Sequence, residues 1–138
     1  MKVLLATLAL VAMTACAHPS DDECIALFMR HEREFERLRE MAAAAPGNGG
    51  GSTAAELIDK IGLRDGMVRL SREPLRIEFE LSVRGLATSS SSKLIYYSET
   101  EPAPLVPKLD DVGAVRRTCH CDAAFRMIDG NWYIKLGL

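Results

Sequence analysis

Beyond its opening residues, the 138-residue chain has no apolar stretch long enough to cross a bilayer, so attachment to a membrane would have to come from a lipid. It also has no run of Lys or Arg: 17 basic residues face 19 acidic ones, for a formal charge of −2. That mild acidic balance argues against nucleic acid and against electrostatic adhesion to anionic lipid, both of which need concentrated positive charge. No Gly-Lys-Ser/Thr follows the glycine-rich "GNGGGS" and no strand pattern precedes it, so the nest of amides that a phosphate needs is not predicted.

What is present begins with Lys2 and the apolar "VLLATLALVAM", closed by small residues, which is the layout of an export signal over residues 1–15. Met13-Thr14-Ala15-Cys16 fits a lipobox with a less usual first residue, whereas Ala15-Cys16-Ala17 fits the small-x-small site of ordinary secretion. Cys16 is favoured as a lipidated first residue, because a cysteine closing a short signal is otherwise hard to explain. Residues 16–19 then form a short tether and residues 20–138 one domain. The protein would sit in the cell envelope, anchored and facing the periplasm or exterior; under ordinary cleavage it would be soluble and secreted or periplasmic. The roughly 120 residues left are enough for one hydrophobic core and not two.

Ser20 to Glu23 reads as a capping box, with Asp21 and Asp22 adding negative charge at the positive end of a helix dipole. Cys24, Phe28, His31, Phe35, Leu38, Ala42 and Ala45 follow at steps of four and three, so one long helix with one apolar stripe is expected. Its other face alternates Glu and Arg and reads as solvated. Pro46 stops the helix and residues 46–52 form a flexible linker. Thr53 and Glu56 repeat the capping pattern before a short helix that Gly62 ends.

The period then changes to two. In "LRIEFELSV", Leu75, Ile77, Phe79, Leu81 and Val83 alternate with polar residues as in a half-buried strand. "MVRLS" precedes it across Glu73-Pro74, and "KLIYYS" follows across a serine-rich loop. The proline-rich "EPAPLVPKLDD" predicts an irregular crossing, since proline lacks the amide that a ladder requires. A long strand over about 116–128 and a final one over 131–136 are joined by the hairpin signal Asp129-Gly130-Asn131. The expected fold is α+β, a long N-terminal helix packed on an antiparallel sheet of about four to five strands.

"RIEFELSVRGLATSSSSKLIYYSE", "PLVPKLDD" and "FRMIDGNWYIKL" resemble a group of small bacterial exported or lipoprotein-like proteins that end in a "GNWY" strand. The resemblance covers most of the chain beyond the signal and implies no catalytic residues. In fold, a long helix against a curved sheet is loosely similar to cystatin-like and NTF2-like domains, a likeness that does not carry function.

The sharpest chemical motif is "TCHCD". Two thiolates and an imidazole, Cys119, His120 and Cys121, are soft ligands suited to copper(I) or zinc. On a strand, however, the cysteines point to one face and the histidine to the other. Structural zinc sites also need longer spacing and a second ligand pair. The competing expectation places Cys119 and Cys121 on one strand face with Ala123, Phe125 and Met127, under the helix stripe that carries Cys24. Cys24 then bridges one of the two and the other stays buried; a Cys119–Cys121 bridge is disfavoured by its short extended spacing.

His31 is expected at the core edge, bonded to a backbone carbonyl. His18 would be terminal if cleavage fell after Ala17, where an amine and imidazole can chelate copper, but nothing else supplies the rest of such a site. Ser89 to Lys93 contains a Ser-x-x-Lys pattern without the buried helix or the Lys-Thr-Gly of penicillin-recognising enzymes. Asp110, Asp111 and Asp122 have no evident mutual geometry for acid and base roles. Trp132, Tyr133, Tyr96 and Tyr97 read as core or cross-strand pairs that can also line a pocket.

The sequence therefore points to a non-enzymatic, lipid-anchored binding module for a protein or small ligand, with no cofactor and no nucleic acid. Two other classes stand beside it. One is a periplasmic redox or metal-handling protein using Cys119, His120 and Cys121; the other is a small NTF2-like pocket enzyme.

Overall fold

A computed structural model describes residues 17–45, 51–64, 66–85 and 90–138. The expected export signal, Cys16, Ser89 and most of the expected 46–52 linker lie outside the described residues. Ser20 caps the first helix, α1 (Asp21–Arg30), through the reciprocal bonds of the capping box: its hydroxyl accepts from the Glu23 amide at 3.1 Å, and the Glu23 carboxylate accepts from the Ser20 amide at 2.7 Å.

The expected single long helix is in fact two. His31, at φ −117° and ψ 24°, leaves the helical region, closes α1 and opens α2 (Glu32–Ala44). The stripe nevertheless survives the break, because Cys24, Phe28, Phe35, Leu38 and Ala42 are all buried. Among the described residues no backbone carbonyl accepts from the His31 ring; its Nδ1 lies 3.9 Å from the Glu34 carboxylate. The third helix, α3 (Ser52–Ile61), starts without the side-chain cap expected from Thr53 and ends as expected at Gly62, whose φ of 83° is one that glycine adopts freely.

Five antiparallel strands follow: β1 (Met67–Arg72), β2 (Leu75–Arg84), β3 (Ser91–Ser98), β4 (Ala123–Asp129) and β5 (Trp132–Gly137), in the spatial order β1-β2-β3-β5-β4. The proline-rich crossing is irregular as predicted, yet it covers the β4 edge. Val106 donates to the Phe125 carbonyl at 2.8 Å, and the Phe125 amide donates to the Pro104 carbonyl at 3.0 Å.

Two departures from the expected register matter. In β2 a shift between Glu80 and Ser82 breaks the simple alternation and buries Ser82. The expected long strand over 116–128 is replaced in its first part by a helix, α4 (Val112–Cys119), capped by the Asp111 side chain, which accepts from the Ala114 amide at 2.9 Å. The strand proper starts only at Ala123, and its faces are the reverse of those expected: Ala124 enters the core, while Phe125 joins Tyr96 and Tyr133 on the opposite side.

The helix-covered face is filled by interlocking rings. Trp132 packs with Phe28, Phe35, Phe79 and Tyr97 at centroid distances of 5.0 to 5.7 Å. Each such buried side chain is worth ~1.5–3 kcal/mol of transfer free energy. Tyr97 pairs with Trp132 and Tyr96 with Tyr133 across β3 and β5, as the cross-strand reading expected.

Candidate functional site

The capping box brings Asp21 to the first position of α1, pointing inward, where it is fully buried. Its carboxylate accepts from the Leu109 amide at 2.7 Å and from the Arg126 guanidinium at 2.8 Å, and it lies 2.8 Å from the Lys93 ammonium. Lys93, only 1% exposed, also donates to the Pro19 carbonyl at 2.7 Å and stands 3.5 Å from Asp110. Asp110 in turn accepts from the Asp21 amide at 2.7 Å. Two carboxylates and two cations thus balance in charge and tie the segment before α1 to β3, β4 and the end of the proline-rich crossing. Burial alone would raise the Asp21 pKa, but the bonds from Lys93, the Leu109 amide and Arg126 outweigh it and hold the carboxyl below its ordinary value.

Next to this cluster the His18 ring is wedged between two serines, with Nδ1 2.6 Å from the Ser82 hydroxyl and Nε2 2.7 Å from that of Ser91. Burial lowers its pKa, and the positive charges of Lys93 and Arg84 lower it further, so the neutral ring is favoured. A neutral imidazole donates from one nitrogen and accepts at the other, which the two hydroxyls can complement. His18 and Pro19, assigned to a tether by sequence, are therefore built into the fold. The Ala17 carbonyl is also engaged, by Arg84 at 3.4 Å.

Chemically this cluster is a lock. Lys93 is ion-paired with the Asp21 carboxylate and donates to the Pro19 carbonyl, so its ammonium is committed to holding the fold together rather than to a Ser-x-x-Lys role. Ser91 and Ser92 lie on a strand, and Ser90 lines a shallow cleft of ≈ 310 Å³ with Ser92, Glu78, Lys135 and Asp122. Lys135 is ion-paired with Glu78 and lies 5.4 Å over the Tyr96 ring, so its charge is already matched.

A second cleft, ≈ 350 Å³, opens between α2 and the β4–β5 turn, lined by Glu32, Glu36, Arg39, Tyr97, Asp129, Gly130, Asn131 and Trp132. One Glu36 oxygen accepts from the Trp132 indole N–H at 2.7 Å and the other from the Arg39 guanidinium at 2.7 Å. Arg39 also stands 5.5 Å over the Tyr97 ring, and its pKa is raised by the bond to Glu36. The volume suits a small molecule.

The cysteines do not occupy the arrangement expected of them. Cys119 ends α4, His120 adopts a left-handed conformation at φ 48°, and Cys121 precedes β4, so no common strand face exists. The sulfurs of Cys119 and Cys121 lie against each other, with their Cα atoms 5.1 Å apart. Among the described residues Cys24 has no disulfide partner; it is 1% exposed, and burial pushes its thiol pKa up to about 11. Among the described residues no three His, Cys, Asp or Glu side chains are grouped to hold a metal ion. Asp110 joins the buried cluster, Asp111 caps α4 and Asp122 borders the first cleft, so the three aspartates have separate roles.

From sequence, Asp21 reads only as a helix-dipole charge, Lys93 only as part of a serine motif and Glu36 only as a member of the solvated charged face, where its pairing with Arg39 is borne out, while Arg126 carries no signal. One signal was available: in "KLIYYS" the inward register of Ile95 and Tyr97 also points Lys93 inward, and an inward lysine requires a carboxylate partner.

No family model, curated protein or solved structure matches this chain. Among the described residues no helix is long and apolar enough to cross a membrane.

Proposed function

We propose that this protein is an exported binding module, acylated at Cys16 and held against a membrane, that takes a ligand without transforming it. The observation that supports this reading is how firmly the residues just after the expected signal are held. Ala17 and His18, directly after the expected signal, already bond to Arg84, Ser82 and Ser91, and the lock continues through Asp21. Only Cys16 and Ala17 then separate the lipid from the first locked side chain, shorter than the tether of residues 16–19 read from sequence. The two clefts supply surfaces for a ligand, with Glu78 and Lys135 ion-paired at the first and Glu36 held by Arg39 and Trp132 at the second.

Replacing Cys16 by Ser tests the reading directly. The variant should leave the membrane fraction for the soluble exported fraction, whereas retention in the membrane would overturn acylation at this position.

A second reading, redox or metal handling, draws on one observation: the Cys119 and Cys121 sulfurs are already in contact at the end of α4. Under this reading the pair should cycle between two thiols and a disulfide. Thiol counting on the purified protein with and without reductant checks it, and a count that never changes contradicts it.

A further inference from the structure

We infer that Cys119 and Cys121 form an exchangeable disulfide that oxidises pairs of cysteine thiols on a peptide or protein chain. The inference rests on the redox reading of this pair and names its substrate class. The two sulfurs are in contact, with their Cα atoms 5.1 Å apart and one residue between them. A cross-link steadies a fold mainly by closing a loop in the unfolded chain, and its effect shrinks as that loop shortens. A bridge across a single residue therefore contributes close to the least that any bridge can. One from Cys24 to either cysteine would enclose most of the domain, yet among the described residues Cys24 has no disulfide partner. The contact is placed where it serves the fold least, on residues that solvent reaches: both cysteines are half-buried, and His120 between them is exposed. Exposed bridges are the ones that exchange with other thiols.

In the exchange, a substrate thiolate attacks one sulfur of the pair. A substrate–protein S–S bond forms as the Cys119–Cys121 bond breaks, and the released sulfur leaves as a thiolate. The second substrate thiolate then attacks the substrate sulfur of that mixed disulfide, which yields a substrate disulfide and frees the other protein sulfur. Two electrons pass from the substrate to the pair, and the two protons lost by the substrate thiols end on Cys119 and Cys121. Arg116, three residues before Cys119, shares its side of α4, and its positive charge offsets the negative end of the helix dipole that would oppose a thiolate at Cys119. Cys24, buried and with its thiol pushed up to about 11, does not compete for the substrate. Asp122 and Ala123, which follow Cys121 directly, line the ≈ 310 Å³ cleft, a surface on which residues flanking a substrate cysteine can rest.

The test mixes the oxidised protein, without oxygen, with an equimolar reduced peptide that carries two cysteines. Free thiols are then labelled and located by mass spectrometry, and a parallel sample is treated with excess phosphine reductant. The expected result is a peptide disulfide that appears as thiols appear at Cys119 and Cys121, one peptide oxidised per chain, with Cys24 unlabelled throughout. Cys119→Ser and Cys121→Ser should each abolish peptide oxidation while circular dichroism stays that of the parent. A bridge that phosphine opens but the peptide leaves closed would overturn the exchange activity and leave the redox reading standing. Thiols at these positions that never pair, or a bridge that phosphine does not open, would overturn both. Peptide oxidation that persists in the two Ser variants would overturn the assignment to this pair.

Discussion

Replacing Lys93 by Met removes the charge at the centre of the buried cluster while retaining a long aliphatic side chain, so little cavity forms. Three groups lose a partner: the Asp21 carboxylate, 2.8 Å away, the Pro19 carbonyl, 2.7 Å away, and the Asp110 carboxylate, 3.5 Å away. Breaking a buried ion pair by removing one member typically costs ~3–5 kcal/mol. Here Asp21 keeps the Arg126 guanidinium and the Leu109 amide, which places the expectation at the lower end, ~3 kcal/mol. At ~4 °C per kcal/mol for a domain of this size, Tm should fall by ~12 °C. Urea unfolding followed by circular dichroism gives the free energy, and an unchanged m value would show that the fold and its denatured state are comparable. Arg126→Met, at a side chain 26% exposed, should cost less, ~1–2 kcal/mol. A loss below ~1 kcal/mol for Lys93→Met, or a larger loss for Arg126→Met, would refute the claim that Lys93 is the centre of the lock.

Stability should also depend on pH in two windows. His18 has a lowered folded pKa, so the unfolded chain binds its proton more readily; the associated stability is present above pH 6.5 and falls as pH drops below it, through the folded value. Unfolding midpoints from pH 8 to 5 check this, and His18→Gln should flatten the slope in that range. Asp21, also lowered, gives a second loss that begins only as pH falls below 3.8. Cys24, buried and with its thiol pushed up to about 11, should resist alkylation at pH 8 in the folded protein and react on unfolding. Mass spectrometry of the alkylated peptides reads this, and rapid native labelling of Cys24 would contradict its placement.

The helix stripe was legible because burial at steps of three and four survives a kink: Cys24, Phe28, Phe35, Leu38 and Ala42 are buried on both sides of His31. The break at His31 was not legible, since nothing in "FMRHERE" departs from helical propensity; it is a property of how two helices meet one sheet. The capping box, the Gly62 stop, the Gly130 turn and the proline-rich crossing are local chemistry, and local chemistry is read directly from residues. The expected strand over 116–128 holds only from Ala123 onward, for a different reason. "VGAVRRTC" has a helix cap at Asp111 and apolar Val112 and Val115 at helical spacing, but the apolar alternation beginning at Ala123 was extended backwards across it. That error also reversed the face of β4 and misplaced Cys119 and Cys121. The buried cluster joins residues up to 105 positions apart, Asp21 to Arg126, and such a meeting is fixed by topology. Only Lys93, an ionisable side chain in an inward register, hinted at it from sequence alone.

The most direct test of the account is the intact mass of the protein purified from its native membrane fraction. The account predicts a chain beginning at Cys16 and carrying added diacylglyceryl mass, with residues 17–138 otherwise unaltered. A mass corresponding to an unmodified chain that begins at Met1 or at His18 would contradict it.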